Sequence, residues 1–205
     1  MPRVSLAEAS EELARRSPEM AHLMALHGPC QLGQRPRTSE RFASLARAIV
    51  HQQLAGAAAG AIWERVLAVL DGDCSATRIL ETGREALRTA GLSAAKAAAL
   101  ADLAERDLAG ELGLPTLGRL GDEEVVARLV RVLGIGPWTA QMFLLFTLHR
   151  LDVWPTGDLG VRKGYALAFG LEDLPSPAAL ESAGEHFRPF RSVAAWYCWR
   201  ACERI

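Results

Sequence analysis

Long apolar runs are missing from this 205-residue chain. Even the stretch Met142–Leu148 is broken at Thr147, far short of the ~18 residues an ordinary transmembrane helix needs. The first residues, MPRVSLAEASEELARR, hold no apolar segment of the kind a secretory signal requires, which points to a cytoplasmic protein. Net charge is nearly absent: 23 basic residues face 24 acidic ones, for a formal −1. Any contact with nucleic acid must then come from local placement and not from a global positive field. Lysine is scarce. Only Lys96 and Lys163 occur, so arginine carries the remaining positive charge. Cysteine is limited to Cys30, Cys74, Cys198 and Cys202, with no CxxC. That spacing is too loose for a four-cysteine zinc or iron–sulfur loop, and it suits reduced, buried or half-buried thiols. No metal site is expected.

Strand patterning is also lacking. No segment alternates cleanly between apolar and polar residues, and the periodicity is helical almost throughout. The expected fold is all-α, with about nine or ten helices in two lobes. Ser39 is placed to cap a helix whose apolar positions are Phe42, Leu45, Ala46, Ile49 and Val50. Further helices are read at Ala55–Leu70, Glu85–Ala90 and from Ser93 to about Leu108. Asp122 could cap Glu123–Val132, and Thr139–His149 and Leu159–Phe169 follow. Ser176-Pro177 is a helix start, and a last helix covers about Ser192–Glu203. The chain reads as one functional unit, 1–205. The glycine- and leucine-rich stretch Gly110–Gly121 is the expected junction between lobes, with the N-terminal segment packing on the C-terminal helices.

The most informative stretch is Leu133-Gly134-Ile135-Gly136-Pro137-Trp138-Thr139-Ala140, lying between two helix patterns. Two glycines around an isoleucine suit a tight turn with positive φ. They also expose amides at the head of the next helix, where main-chain donors and the helix dipole favour a phosphate oxygen. Such a hairpin holds a nucleic-acid backbone without reading sequence. An ordinary helix–helix connection is the plainer account of the glycines alone. Downstream, Asp152-Val153-Trp154-Pro155-Thr156-Gly157-Asp158 leads into Leu159-Gly160-Val161-Arg162-Lys163-Gly164. Asp158 opens a helix there and could be no more than its cap.

Taken together, LGIGPWTAQMFLLF and DVWPTGDLGVRKG resemble the helix-hairpin-helix DNA glycosylases with a glycine/proline-rich loop and an essential aspartate. Within them the chain is most similar to the alkylbase type, DNA-3-methyladenine glycosylase II of the AlkA kind. Ala48-Ile49-Val50-His51-Gln52-Gln53-Leu54 resembles the family's DNA-penetrating loop. Pro189-Phe190-Arg191-Ser192-Val193-Ala194 with Trp199 resembles its C-terminal pattern. The matches run from about Ser39 to Glu203.

The resemblance implies two helical lobes with a DNA- and base-binding cleft between them. It implies hydrolysis of the N-glycosidic bond of alkylated purines in duplex DNA, the first step of base excision repair. Asp158 takes the place of the essential aspartate, facing the cation that develops on the sugar; Asp152 is the rival carboxylate, more readily structural. Trp138 and Met142, four apart on one helix face, would line the base pocket with Trp199, although core packing also accounts for either tryptophan. An alkylated purine on an indole gains about 0.5–2 kcal/mol of cation–π attraction. Met142 stands where many alkylbase members carry an aromatic. Gln52, Gln53 and Leu54 would fill the gap left by a flipped base, Gln53 aligning best with the wedge, or form a plain loop. Gly134, Ile135, Gly136, Thr139 and Arg162 would contact the DNA backbone. Bifunctional relatives carry a Schiff-base lysine where this chain has Trp138, so no lyase step is expected. No cofactor is implied, apart from a monovalent cation at the hairpin carbonyls. The expected partner is damaged double-stranded DNA and the expected state a monomer without membrane association, nucleoid-associated if bacterial. The alternative is a non-catalytic helix-hairpin-helix DNA-binding protein.

Overall fold

A computed structural model describes residues 4–33, 35–54 and 56–203. Among these the secondary structure is helical, with no strand. The eleven α-helices are α1 Leu6–Arg16, α2 Pro18–His27, α3 Arg41–His51, α4 Gly56–Val69, α5 Ala76–Thr89, α6 Ala94–Leu108, α7 Asp122–Leu129, α8 Pro137–Phe146, α9 Leu159–Ala168, α10 Pro177–Gly184 and α11 Arg191–Ala201. None of the described helices is long and apolar enough to cross a membrane.

The chain divides into two compact units. One joins residues 1–35 to 149–205; the other is the continuous segment 36–148. The crossings therefore fall at Arg35/Pro36 and Leu148/His149, not at Gly110–Gly121. That stretch lies within the second unit, because Leu112, Leu114 and Leu117 are fully or nearly buried and make it part of a core. Buried Arg41 donates to the carbonyls of Leu114 (2.6 Å) and Pro115 (3.0 Å), which fixes the stretch further.

The first unit centres on α11, whose residues Arg191 to Cys198 are all buried. Leu13 and Met20 of α1 and α2, Val161 of α9, Leu180 of α10 and Phe187 surround it. The Tyr197 hydroxyl donates to the Gly28 carbonyl (3.0 Å), tying α11 to the end of α2. Two signals at the head of the chain explain α1 and α2, which the periodicity analysis does not include. Ser5 and Glu8 form a reciprocal capping box, and Ser17-Pro18 supplies a cap followed by proline at the first helical position. The second unit packs α3, with Phe42, Leu45, Ile49 and Val50 buried, near the alanine-rich α6. Val125 and Leu129 of α7 and Phe143 to Leu145 of α8 complete its core.

Several boundaries differ from the sequence reading for local reasons. Ser39 lies in a 3-10 turn, Thr38–Glu40, and makes no cap; α3 starts from Glu40. Gly121, not Asp122, is the N-cap of α7, and Asp122 becomes its first residue. The expected helix at Glu85–Ala90 is the second half of α5, which kinks at Gly83 (φ +77°). The expected start of α4 at Ala55 falls outside the described residues. Four free cysteines are present, and burial pushes the thiol of Cys30 up to about 12 and, with Asp73 nearby, that of Cys74 up to about 11.

Candidate functional site

In the second unit the hairpin joins α7 to α8. Gly134 adopts φ +78°, where a side chain would strain the backbone, and its missing Cβ would sit 3.4 Å from the Ala99 Cβ. Gly136 differs from expectation. It is extended (φ −93°, ψ 175°), acts as the N-cap of α8, and has open space where a Cβ would stand. Only one of the two glycines is thus demanded by the turn. The Ile135 side chain is buried and its amide is spent inside the turn, donating to the Val132 carbonyl (3.0 Å). Pro137 at the first helical position has no amide, so the hairpin's outward donors reduce to the Gly134 and Gly136 amides and the first-turn amides of α8.

Two neighbours brace this turn: Asp102, which the sequence did not single out, and Gln52, which it placed in the DNA-penetrating loop. Asp102 of α6 accepts from the Leu133 amide (2.7 Å) while paired with Arg106 (3.1 Å). Gln52, at the end of α3, donates its amide to the Gly134 carbonyl (2.9 Å) and to the Thr139 hydroxyl (3.2 Å). Lys96 then donates to the carbonyls of Val50 (2.7 Å) and Gln52 (2.8 Å), capping α3; burial lowers the pKa of this ammonium. Gln52 and Thr139, both expected at the DNA, also hold the turn: Gln52 faces the hairpin, and Thr139 is only 4% exposed. Gln53 and Leu54 remain exposed at the tip, with Gln53 at φ +56°. Trp138 is 46% exposed on the first turn of α8, with Met142 half-buried one turn on.

In the first unit Asp158 is the N-cap of α9. Its Oδ1 accepts from the Val161 amide (2.8 Å) and from the indole N–H of Trp199 on α11 (2.9 Å). The Pro-Phe-Arg-Ser motif acts upstream of it. Arg191 donates to Asp152 through Nε (2.7 Å) and Nη2 (3.2 Å), with Arg188 on the same carboxylate (2.6 Å). Ser192 donates to the Arg150 carbonyl (2.6 Å) and accepts from the Val153 amide (2.9 Å). Asp152 is thereby held in an ion network that fixes the strand of chain leading to Asp158. Trp154 and Pro155 in that segment are buried. Arg162, expected on DNA, turns its Nε to the Pro175 carbonyl (2.8 Å) and braces the α9–α10 connection. Lys163 is exposed. Among the described residues no group of three or more His, Cys, Asp or Glu side chains is arranged to hold a metal.

The chain is similar to known proteins over most of its length. The family model described as HhH-GPD superfamily base excision DNA repair protein matches residues 46–189. DNA-3-methyladenine glycosylase 1 of Schizosaccharomyces pombe is 34% identical over 96% of this chain and 87% of its own length. Among solved structures, the S. pombe 3-methyladenine DNA glycosylase Mag1 in complex with abasic DNA superimposes with a TM-score of 0.80 at 33% identity, covering 94% of this chain and 95% of that one. A DNA-3-methyladenine glycosidase from Bacillus halodurans gives 0.83 at 31% identity, covering 94% and 88%. The chain belongs to the HhH-GPD superfamily of base excision DNA repair proteins.

Proposed function

We propose that this protein is a monofunctional DNA glycosylase that hydrolyses the N-glycosidic bond of alkylated purines, of the 3-methyladenine and 7-methylguanine type, in duplex DNA, acting as a monomer. The observation that carries the reading is the Asp158 carboxylate, held at the head of α9 by one main-chain and one indole donor. The relatives named above support the substrate class.

In this mechanism the C1′–N bond breaks and its electron pair leaves with the base. An alkylated purine already carries positive charge, so it departs with little acid assistance. Asp158 stabilises the oxocarbenium-like sugar, and water adds to C1′ and loses its proton to solvent. The exposed indole of Trp138 offers a face on which a cationic purine gains about 0.5–2 kcal/mol. Trp138 also occupies the place of the bifunctional relatives' lysine, which supports hydrolysis without a Schiff base.

The hairpin amides at Gly134, Gly136 and the start of α8 bind a backbone phosphate. Gln53 and Leu54 fill the space of the extruded base. A monovalent cation is compatible with the hairpin: the Val132 and Gly134 carbonyls each accept one protein hydrogen bond, and a carbonyl oxygen has a second lone pair. The test is base release from a methylated duplex by wild type and Asp158→Asn. The variant should release no base above background yet bind an abasic-analogue duplex within a few-fold of wild type. Wild-type release by Asp158→Asn would instead favour a binding protein in which Asp158 is only a cap.

A further inference from the structure

Gly160 has an ordinary backbone conformation, so its φ does not call for glycine. Space does. A Cβ there would lie 2.8 Å from Cδ1 of Trp199 and 3.1 Å from both its Nε1 and Oδ1 of Asp158. One turn on, a Cβ at Gly164 would lie 1.7 Å from the Cys198 carbonyl oxygen. The two glycines share a face of α9, and along it the helix backbone meets α11 directly. The Cys202 thiol donates to the Gly160 carbonyl at 3.4 Å on the same line. This close crossing delivers the indole N–H of Trp199 to Asp158.

We infer that Trp199 is a positioning residue for the reaction, acting through its N–H on Asp158, and that Gly160 is the opening through which it acts. The inference rests on the reading of Asp158 as the carboxylate that faces the sugar. The terminal torsion of an aspartate is broad, so the carboxyl plane is set by the donors that reach it. A second donor to the same oxygen, arriving from another helix, fixes that plane. A carboxylate that must face a developing cation has to be held to within about 0.5 Å. On this account the work of Trp199 is done by its ring nitrogen. A wall on which the base stacks would use only its ring face.

Trp199→Phe separates the two, because it keeps an aromatic ring and removes the donor. The assay is single-turnover release of 7-methylguanine from a duplex, with affinity for an abasic-analogue duplex and thermal stability measured alongside. Loss of one hydrogen bond to a charged acceptor should slow release about 10- to 100-fold. Affinity should stay within about three-fold. Gly160→Ala should show the same signature by displacing the indole; where it fails to fold, Trp199→Phe carries the test. A wild-type rate in Trp199→Phe overturns the inference. So does weakened binding with an unchanged saturated rate, the mark of a stacking wall. So does a rate loss matched by the loss of folded protein. Asp158→Asn serves as the reference. If it retains wild-type release, the reading of Asp158 fails and this inference falls with it. If it is inactive while Trp199→Phe is normal, only the positioning role is lost.

Discussion

Gly134→Ala should weaken DNA binding while Gly136→Ala should not. At φ +78° residue 134 lies in the left-handed region, and a Cβ there meets Ala99 at 3.4 Å. An L-residue pays about 1–2 kcal/mol to hold that conformation. The turn therefore relaxes in the free protein, and binding must restore it, which makes affinity about 5- to 30-fold lower at 1.4 kcal/mol per decade. Gly136 is extended with open space around it, so alanine there should change affinity by less than about two-fold. Neither change removes a charge, so the salt dependence should not move. That dependence should itself be shallow. From Arg119 to Tyr165 six basic residues face five acidic ones. Two of the six, Arg128 and Arg131, pair with Glu124 (2.8 Å) and Glu111 (2.9 Å). With few cations for phosphate, the slope of log K against log salt should be about −2 to −4. Fluorescence anisotropy on an abasic-analogue duplex across a salt series measures all three quantities. A slope near −8, equal losses at both glycines, or no loss at Gly134 would refute the hairpin as a main-chain anchor.

Borohydride should trap no covalent adduct with DNA; a trapped band lost in Lys163→Ala would instead indicate a lyase. Asp152→Ala should destabilise the protein by about 2–3 kcal/mol, near the lower end for a broken buried pair because Asp152 is partly exposed. Calorimetry should show a fall in Tm of about 4–12 °C, and a change under 1 °C would remove the Asp152 network from the account. The buried Cys30 thiol, pushed to about 12 from an ordinary value of 9.0, keeps its proton in the folded state where the unfolded chain has lost it. Stability should thus fall as pH rises from about 9 to 12, and Cys30→Ser should flatten that part of a Tm-against-pH curve. A thiol reagent at pH 8 should modify exposed Cys202 first and reach buried Cys30 and Cys198 only on unfolding, as peptide mapping would report.

Helices with a polar cap and an apolar period were legible in the sequence. Ser93 and Ser176-Pro177 mark the starts of α6 and α10 where the structure has them. Ser5 with Glu8 is as plain a signal, so α1 could have been read from the same rule. Two lobes and the packing of the N-terminal segment on the C-terminal helices were expected, but the place of the boundary was not legible. Gly110–Gly121 has the composition of a junction, and the burial of Leu112, Leu114 and Leu117 that puts it inside the second unit is encoded by no local pattern. For the site, residue types at Asp158, Trp199 and the hairpin could be picked out. Which atoms they use could not. Gln52 and Thr139 read as DNA contacts, and only their mutual contact shows that they also hold the turn. Gly160 and Gly164 are visible as two glycines four apart on a helix, a spacing that signals close backbone approach, yet their partner on α11 is not.

The interleaving of the two units bears on synthesis. The segment 36–148 is continuous and has its own core, so it can begin folding while the rest of the chain is still being made. Helices α1 and α2 emerge earlier but cannot finish. Leu13, Met20 and Leu23 are buried in a core completed by α11. Between His27 and Arg191 lie about 160 residues, about 8–30 s of translation at 5–20 residues per second. For that interval an apolar helix pair waits without its partner. This window, more than the stability of the finished protein, is where a holding chaperone or a fast-folding second unit should most affect yield.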